Sequence, residues 1–554
     1  MRGRDVFIQS LVLHGVKHIF GNPGTTESPL LDALSDCADI EYITHLHEGV
    51  AVGAASYYAR ATGRTAVVSL HAAPGLGNGI GMMYGAAKAN APVIVTAGQQ
   101  DTRMLRRDPL LAHDLAAIAA PVAKWSAQVQ CADEMDEVMR RAFKVANDPP
   151  HGPVFVALPI DVMEQETRNA AQAPGRLYRE GAPDAQAVAA ACELMRAARA
   201  PVIVVGDEVG RAGAMGDLVR LAERIGAPVW FEGIRGHVSF PGAHPQARTT
   251  LPFDAAAIRK TLGDADLVLL VGGRFFEEIW FSPGSPFPQG AKLVQIESSA
   301  PPLAHNYAVD VGLVATLGAA LRALDGALAA QAGAGWLAAA AARRAQLAGE
   351  KAQDVAAYQT RLEKAWARMP ISMPRAMAEL RRATPAEAVV VEESITASID
   401  LAANFQYESA DQYLGARGGG IGQGLAGAIG AAIGHRGRPV LCVSGDGSAM
   451  YSIQALWTAA HHRLPIVFVI LANREYRVLK HNLDLFRQRF DAASGQPYPH
   501  MDLGDPPLGF VEMAAGMGVH GVRVSEPGAL AGAIEQAFAA RAPRVVEIVV
   551  EGKR

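Results

Sequence analysis

Cysteine is scarce: Cys37, Cys131, Cys192 and Cys442 are the four in 554 residues, and no two stand at metal-ligand spacing. That excludes a disulfide framework and a zinc ribbon, and leaves the thiols as small buried hydrophobes. An excess of one charge is also missing. The net charge is −4, with both signs mixed along the chain. No basic block alternates with aromatics, so no nucleic-acid surface is expected. No uninterrupted apolar stretch reaches the length of a membrane span, so no membrane partner is expected either. The opening Met1-Arg-Gly-Arg-Asp-Val-Phe7 runs into an amphipathic pattern rather than a signal-peptide core. Together these absences predict a soluble protein of a reducing compartment, the cytoplasm.

What is present is length and apolar mass. At 554 residues with 50% hydrophobic content, the chain has room for about three domains. Residues 1–165 alternate strand and helix patterns. Val6–His14, Gly49–Ala61 and Gly75–Ala89 read as helices, and Ile40–Thr44, Ala66–Leu70 and Pro92–Ala97 as strands. Glu164–Asp184 is polar and aperiodic, a linker. Residues 185–325 restart the rhythm, with strands expected at Pro201–Val205, Pro228–Phe231, Leu267–Val271 and Leu293–Ile296. The alanine-rich segment 327–360 is expected as one connecting helix, and 365–554 as a third unit. This alternation predicts an α/β chain of three doubly wound parallel-sheet domains.

The most informative stretch is 443–473. The apolar run Val440–Val443 enters Gly445-Asp446-Gly447-Ser448. A helical pattern follows, with Ile453, Leu456, Trp457 and Ala460 on one face. A second apolar run, Ile466–Leu471, ends at Asn473. Ligands of open parallel sheets sit at the carboxyl ends of strands. Gly445 and Gly447 permit a sharp turn and close backbone approach. A helix start offers N–H groups to a phosphate, and Asp446 and Asn473 are hard oxygen donors suited to Mg2+. A plain crossover turn would contain G-D-G alone; the downstream Asn473 adds the metal chemistry. The glycine-dense run from Gly418 to Gly430 is either a tightly packed helix start or a close approach to a ligand. Glu48, in H-L-H-E-G-V-A-V-G, is either an acid favoured by a helix dipole or a proton carrier beside His45 and His47.

G-D-G-S followed by Asn resembles the diphosphate- and magnesium-binding motif of thiamine diphosphate (ThDP) enzymes. The segments G-N-P-G-T-T-E, L-H-E-G-V-A-V-G, L-H-A-A-P-G-L-G-N, V-T-A-G-Q-Q, A-K-W-S, G-D-G-S-A-M-Y-S and A-L-W-T-A-A extend that likeness. In order and spacing they resemble benzoylformate decarboxylase and its relatives. The resemblance implies a pyrimidine-binding domain (1–165), a central domain (185–325) and a diphosphate-binding domain (365–554). It implies ThDP and Mg2+ as cofactors, and a homodimer or homotetramer with active sites between subunits. Glu48 would hydrogen-bond the aminopyrimidine ring and drive cofactor activation. His71 would position substrate and transfer protons, and Thr25 would hold the substrate carboxylate. Asp446, Asn473 and the Glu475 carbonyl would bind Mg2+. Gly445, Gly447, Ser448, Tyr451 and Tyr476 would line the diphosphate. Gly419 and Ile421, the latter as a prop under the cofactor, would complete its seat with the hydroxyls of Ser394 and Thr396.

The likeness breaks around the substrate. The decarboxylase group carries a second catalytic histidine in the central domain; Ile279 stands there, within F-F-E-E-I-W-F-S-P-G. Glu277, Glu278 or Trp280 would face the site instead. Gly415 and Asn482 replace aromatics, while Leu110 and Leu479 are retained. Arg417, Lys480 and His481 are candidate newcomers to a less aromatic, more polar pocket. The expected reaction is non-oxidative decarboxylation of a 2-oxo acid to an aldehyde. Two alternatives stay open. One is acetolactate-synthase-like carboligation onto an aldehyde or ketone. Its usual flavin would have only G-D-E-V-G-R-A-G (206–213), a loose dinucleotide match. The other is a non-catalytic ThDP-binding homologue.

Overall fold

Three six-stranded parallel sheets make up the β-structure of the computed structural model, which describes residues 1–492 and 495–552. Their strands are near-continuous apolar runs. Ala66–Leu70, Val93–Gln99 and Ile466–Ala472 are buried at every position, as strands covered by helices on both faces must be. The architecture is therefore the expected three-sheet α/β arrangement. All four cysteines are free, Cys192 and Cys442 buried and the others half-buried. No helix among the described residues is long and apolar enough to cross a membrane.

The chain folds as two compact units. The first comprises residues 1–176, 365–404 and 416–554. One of its sheets orders its strands 41–44, 18–21, 66–70, 93–99, 154–159 and 126–128. The five strands that this unit gives to the other run 389–393, 440–445, 466–472, 544–549 and 520–524. Both place their central strands so that the carboxyl ends point at turns carrying polar residues. The helices Glu48–Thr62 and Gln423–Gly434 pack against each other with almost no side chain between them. A methyl group at Gly427 would strike the Tyr57 ring, and one at Gly430 would strike the Ala54 carbonyl. Glycines 427 and 430 are thus explained by packing. The second unit comprises 177–364 and 405–415. Its sheet orders its strands 311–314, 292–297, 267–271, 201–205, 229–231 and 247–250, the strand order of a doubly wound sheet built from two mononucleotide-binding halves.

Two expected elements differ. Segment 327–360 is not one helix: Leu317–Gln331 ends before Gly333, and Ala334–Ala365 begins after it. Alanine has no preferred face, so the break left no mark on the period. After Gly445 the helix is also divided, into Asp446–Ala449 and Ala455–His461. Between them the amides of Tyr451 and Ser452 bond three residues back, to Ser448 and Ala449. These turns bury Ile453 and leave Tyr451 59% exposed.

Candidate functional site

The site residues of the first unit lie at strand ends, and the backbone there is strained. Ala72, Ile395 and Arg474 follow the strands 66–70, 389–393 and 466–472, with φ of +45°, +51° and +60°. A non-glycine residue in this region costs about 1–3 kcal/mol, and such strain gathers at functional sites.

On one sheet, helix 48–62 opens with Glu48, and His47 Nδ1 caps it by accepting from the Gly49 amide at 3.0 Å. The Glu48 side chain is buried between two amides: Asn22 Nδ2 donates to Oε1 at 3.2 Å and Asn78 Nδ2 to Oε2 at 3.0 Å. Both oxygens are thus oriented without a neutralising cation among these contacts. His45 is fully buried, donates from Nδ1 to the Ile43 carbonyl (3.1 Å), and has its pKa held down at about 3 by burial and then His462. It stays a neutral imidazole at ordinary pH.

His71 ends strand 66–70. Its Nδ1 lies 2.9 Å from Glu27 Oε2 and 3.2 Å from Thr26 Oγ1. Glu27 also accepts from Thr26 Oγ1 and from the Gly98 amide, both at 2.8 Å. Burial pushes the Glu27 carboxyl up, against the pull of Thr26 and His71. The carboxylate side chain is 2% exposed and the imidazole 23%. The pair therefore holds a proton internally and presents the ring outward. Gly24 is required here, because a Cβ would overlap the imidazole. Glu27 escaped the sequence reading: an acid in the first turn after Thr25 looks like a helix cap. The signal was its place just beyond a buried strand. Thr25 is exposed, its carbonyl accepting from Ser28 Oγ.

On the other sheet, Asp446 is 3% exposed. Oδ1 accepts from the Gly447 amide at 2.8 Å and Oδ2 from the Arg474 amide at 2.6 Å. Burial pushes it up to about 6, the amides oppose this, and Glu475 adds to it. A desolvated acid held by neutral dipoles fits a divalent cation, which would supply the missing countercharge. Asn473 Oδ1 is close by in sequence and is turned to the Glu475 amide at 3.0 Å. The Tyr476 ring covers Gly447, where a Cβ would come within 2.5 Å of it. Tyr476 N donates to Met501 O and Leu503 N to Arg474 O, both at 2.8 Å, so segment 501–503 braces this turn. Ser448 is buried at the first helical turn.

The remaining sequence candidates lie as follows. Lys480 does not face a pocket: it is buried and bonds Glu475, with Asp502 at 2.6 Å. Lying in the first turn of helix 477–490, Lys480 turns back to the buried Glu475 carboxylate just before the helix. Ser394 Oγ donates to Glu392, which also takes the Ser394 amide at 2.7 Å and Ser398 Oγ at 2.7 Å. Thr396, Gly419 and His481 are exposed, and Ile421 is half-buried. Leu110 and Leu479 are 81% and 43% exposed. In the second unit Ile279 is 59% exposed, with its amide on Phe253 O at 3.3 Å. Trp280 is half-buried. Glu278 is raised by burial and then by Asp254, with Tyr307 opposing.

In the second unit, a buried acid sits at the carboxyl ends of the paired strands 201–205 and 267–271, where doubly wound sheets take ligands. This is Glu232, 5% exposed: Oε1 accepts from Asp207 N at 3.4 Å and Oε2 from Arg274 N at 3.1 Å. Glu297 beside it is pushed up to about 8, first by burial and then by Glu208 and Glu232, with Gln295 opposing.

Residues 1–118, 188–324 and 396–548 match the N-terminal, central and C-terminal domains of thiamine pyrophosphate enzymes. Benzoylformate decarboxylase of Pseudomonas aeruginosa is 33% identical, covering 97% of this chain and 96% of that protein. Acetolactate synthase isozyme 3 large subunit of Escherichia coli is 27% identical, covering 97% and 92%. The solved 4-hydroxybenzoylformate decarboxylase of Rhodococcus jostii is 28% identical, with a TM-score of 0.85 over 100% of both chains.

Proposed function

Because the chain belongs to the thiamine pyrophosphate enzyme family, of decarboxylase and acetolactate synthase type, we propose that it decarboxylates a 2-oxo acid to an aldehyde without oxidation. ThDP when bound supplies a carbon nucleophile and an electron sink. Asp446, the Asn473 side chain and the Glu475 carbonyl would hold Mg2+. Gly445, Gly447, Ser448, Tyr451 and Tyr476 would surround the diphosphate. Glu48, fixed by Asn22 and Asn78, would exchange the proton that activates the cofactor. Thr25 would bind the substrate carboxylate. His71 would carry protons to and from substrate through Nε2, with Glu27 holding Nδ1. We read the assembly as a cytoplasmic homodimer or homotetramer with sites shared between subunits.

The observation that carries this reading is the Glu27–His71 pair, 2.9 Å apart at a strand end. A lyase that releases an aldehyde must return a proton to carbon, and this pair can store one beside the surface. The second unit favours the same side: a flavin diphosphate that took the Asp207 and Arg274 amides would have to displace Glu232 from both.

Carboligation is the second reading, and Ile279 favours it. With an aliphatic side chain where the resemblance expects a histidine, proton return would rest on His71 alone. An acceptor aldehyde or ketone would then compete. The test is product analysis after incubation with ThDP, Mg2+ and a panel of 2-oxo acids, with and without added aldehydes. Aldehyde and CO2 as main products support decarboxylation; a ligated hydroxyketone as main product moves the assignment to carboligase. No CO2 and no ligation from any donor would support the non-catalytic homologue.

A further inference from the structure

Helix 423–434 begins at the glycine-rich turn, and its first amides form a seat for an anion. The protein fills that seat itself. Glu393, the last residue of strand 389–393 and 1% exposed, reaches into it. Oε1 accepts from the Gly422 amide at 2.8 Å and the Gln423 amide at 3.1 Å, and Oε2 from the Gly424 amide at 2.7 Å. Three successive amides thus close on one carboxylate.

The local glycines follow from this. Gly422 sits at φ +97°, and a Cβ there would lie 2.6 Å from Tyr451 Cβ. A Cβ at Gly424 would press on Glu393 Cβ at 3.0 Å. Gln423 then folds its side chain back, with Nε2 donating to Arg417 O and Gly420 O, both at 2.7 Å. Residues 417–424 are therefore wound around Glu393, and Gly419, Gly420 and Ile421 are the part of the loop held up between these ties. The neighbouring Glu392 is engaged separately, by Ser394 and Ser398. Burial raises the Glu393 carboxyl to about 7 in spite of the three amides, so its place in the core is costly and needs a reason.

We propose that Glu393 is an internal anion that presets the turn carrying Ile421, and so acts as a positioning residue for ThDP. The inference rests on the cofactor reading above. It assigns no chemistry to Glu393: its carboxylate shapes the cofactor seat before the cofactor arrives. The general gain is preorganisation, which lowers the ordering cost of binding.

The experiment compares wild type, Glu393→Gln and Glu393→Ala as full-length proteins. Hydrogen exchange of segment 418–424 is read in the apo protein, and ThDP affinity by titration with Mg2+ present. Glu393→Gln should keep its thermal transition, speed exchange in 418–424, and weaken ThDP at least about tenfold, since charge-assisted bonds are lost. Glu393→Ala should weaken binding further, and added acetate or formate should restore part of it by occupying the vacated amides. Unchanged exchange and unchanged affinity overturn the proposal. So does loss of affinity that tracks global unfolding and ignores added carboxylate. A wild-type protein that binds no ThDP would instead fail the cofactor reading, and the exchange data would still decide whether Glu393 holds the turn.

Discussion

Two turns of the same sheet meet the same physical problem in opposite ways. The turn 418–424 encloses a carboxylate whose partners are all backbone amides of that turn. Glu393 fills it completely, with three N–H groups on two oxygens. The turn 445–448 also buries a carboxylate, but Asp446 is held by one amide on each oxygen and sits beside Asn473 and Glu475. The first is an anion site closed by the chain's own acid, a finished piece of structure. The second answers Glu475 with Lys480 but gives Asp446 only neutral amides among these contacts. The difference shows where the molecule completes itself and where it needs a ligand. In the second unit Glu232 repeats the first solution.

The comparison can be broken by changing one acid at a time. The largest effect is expected at Asp446. Asp446→Asn should weaken Mg2+-dependent ThDP binding by at least about a hundredfold, as for loss of metal-site residues, against the smaller loss at Glu393. Equal losses at the two positions would erase the distinction. Next comes Glu27→Gln. It should lower kcat/KM by about ten- to a hundredfold and shift the acid limb of its pH profile, while leaving ThDP affinity alone, because Glu27 touches only the His71 network. Ile279→His should raise the ratio of aldehyde to ligated product, measured by chromatography; an unchanged ratio would remove Ile279 from the account of specificity.

The smallest effect is one of stability. Glu297 is raised from an ordinary carboxylate to about 8 in the folded protein. Between the unfolded value and about 8 the unfolded chain has lost the proton that the folded chain keeps. Rising pH therefore favours unfolding across that window, and the stability present in acid is lost above it. Glu297→Gln cannot ionise. Its thermal midpoint should match wild type near pH 5 and exceed it by a few degrees near pH 9. Equal midpoints at both pH values would mean that Glu297 is charged in the core.

Much of this was legible in the residues. Strand ends were readable because two-faced burial writes continuous apolar runs, as at 66–70 and 201–205, where the expected and observed limits coincide. His71 and Asp446 stood out because they follow such runs, and Glu48 because its segment resembles that of thiamine diphosphate enzymes. What escaped was whatever depends on a partner distant in sequence. Glu27 gained its imidazole partner only when strand 66–70 set His71 beside it. The glycines of 418–434 were readable as close approach, but not what approached: Glu393 at one end and helix 48–62 at the other. Lys480 looked like a pocket residue until the fold buried it on Glu475.

The central claim is a division of labour: the Asp446 turn binds the cofactor, and Glu48 activates it. The most direct test is the rate of CO2 release by Glu48→Gln at saturating ThDP and Mg2+, with a 2-oxo acid that the wild type consumes. The amide should still sit between Asn22 and Asn78 and still allow ThDP to bind. The account predicts a rate about a hundred- to ten-thousandfold below wild type. A rate equal to wild type would contradict it.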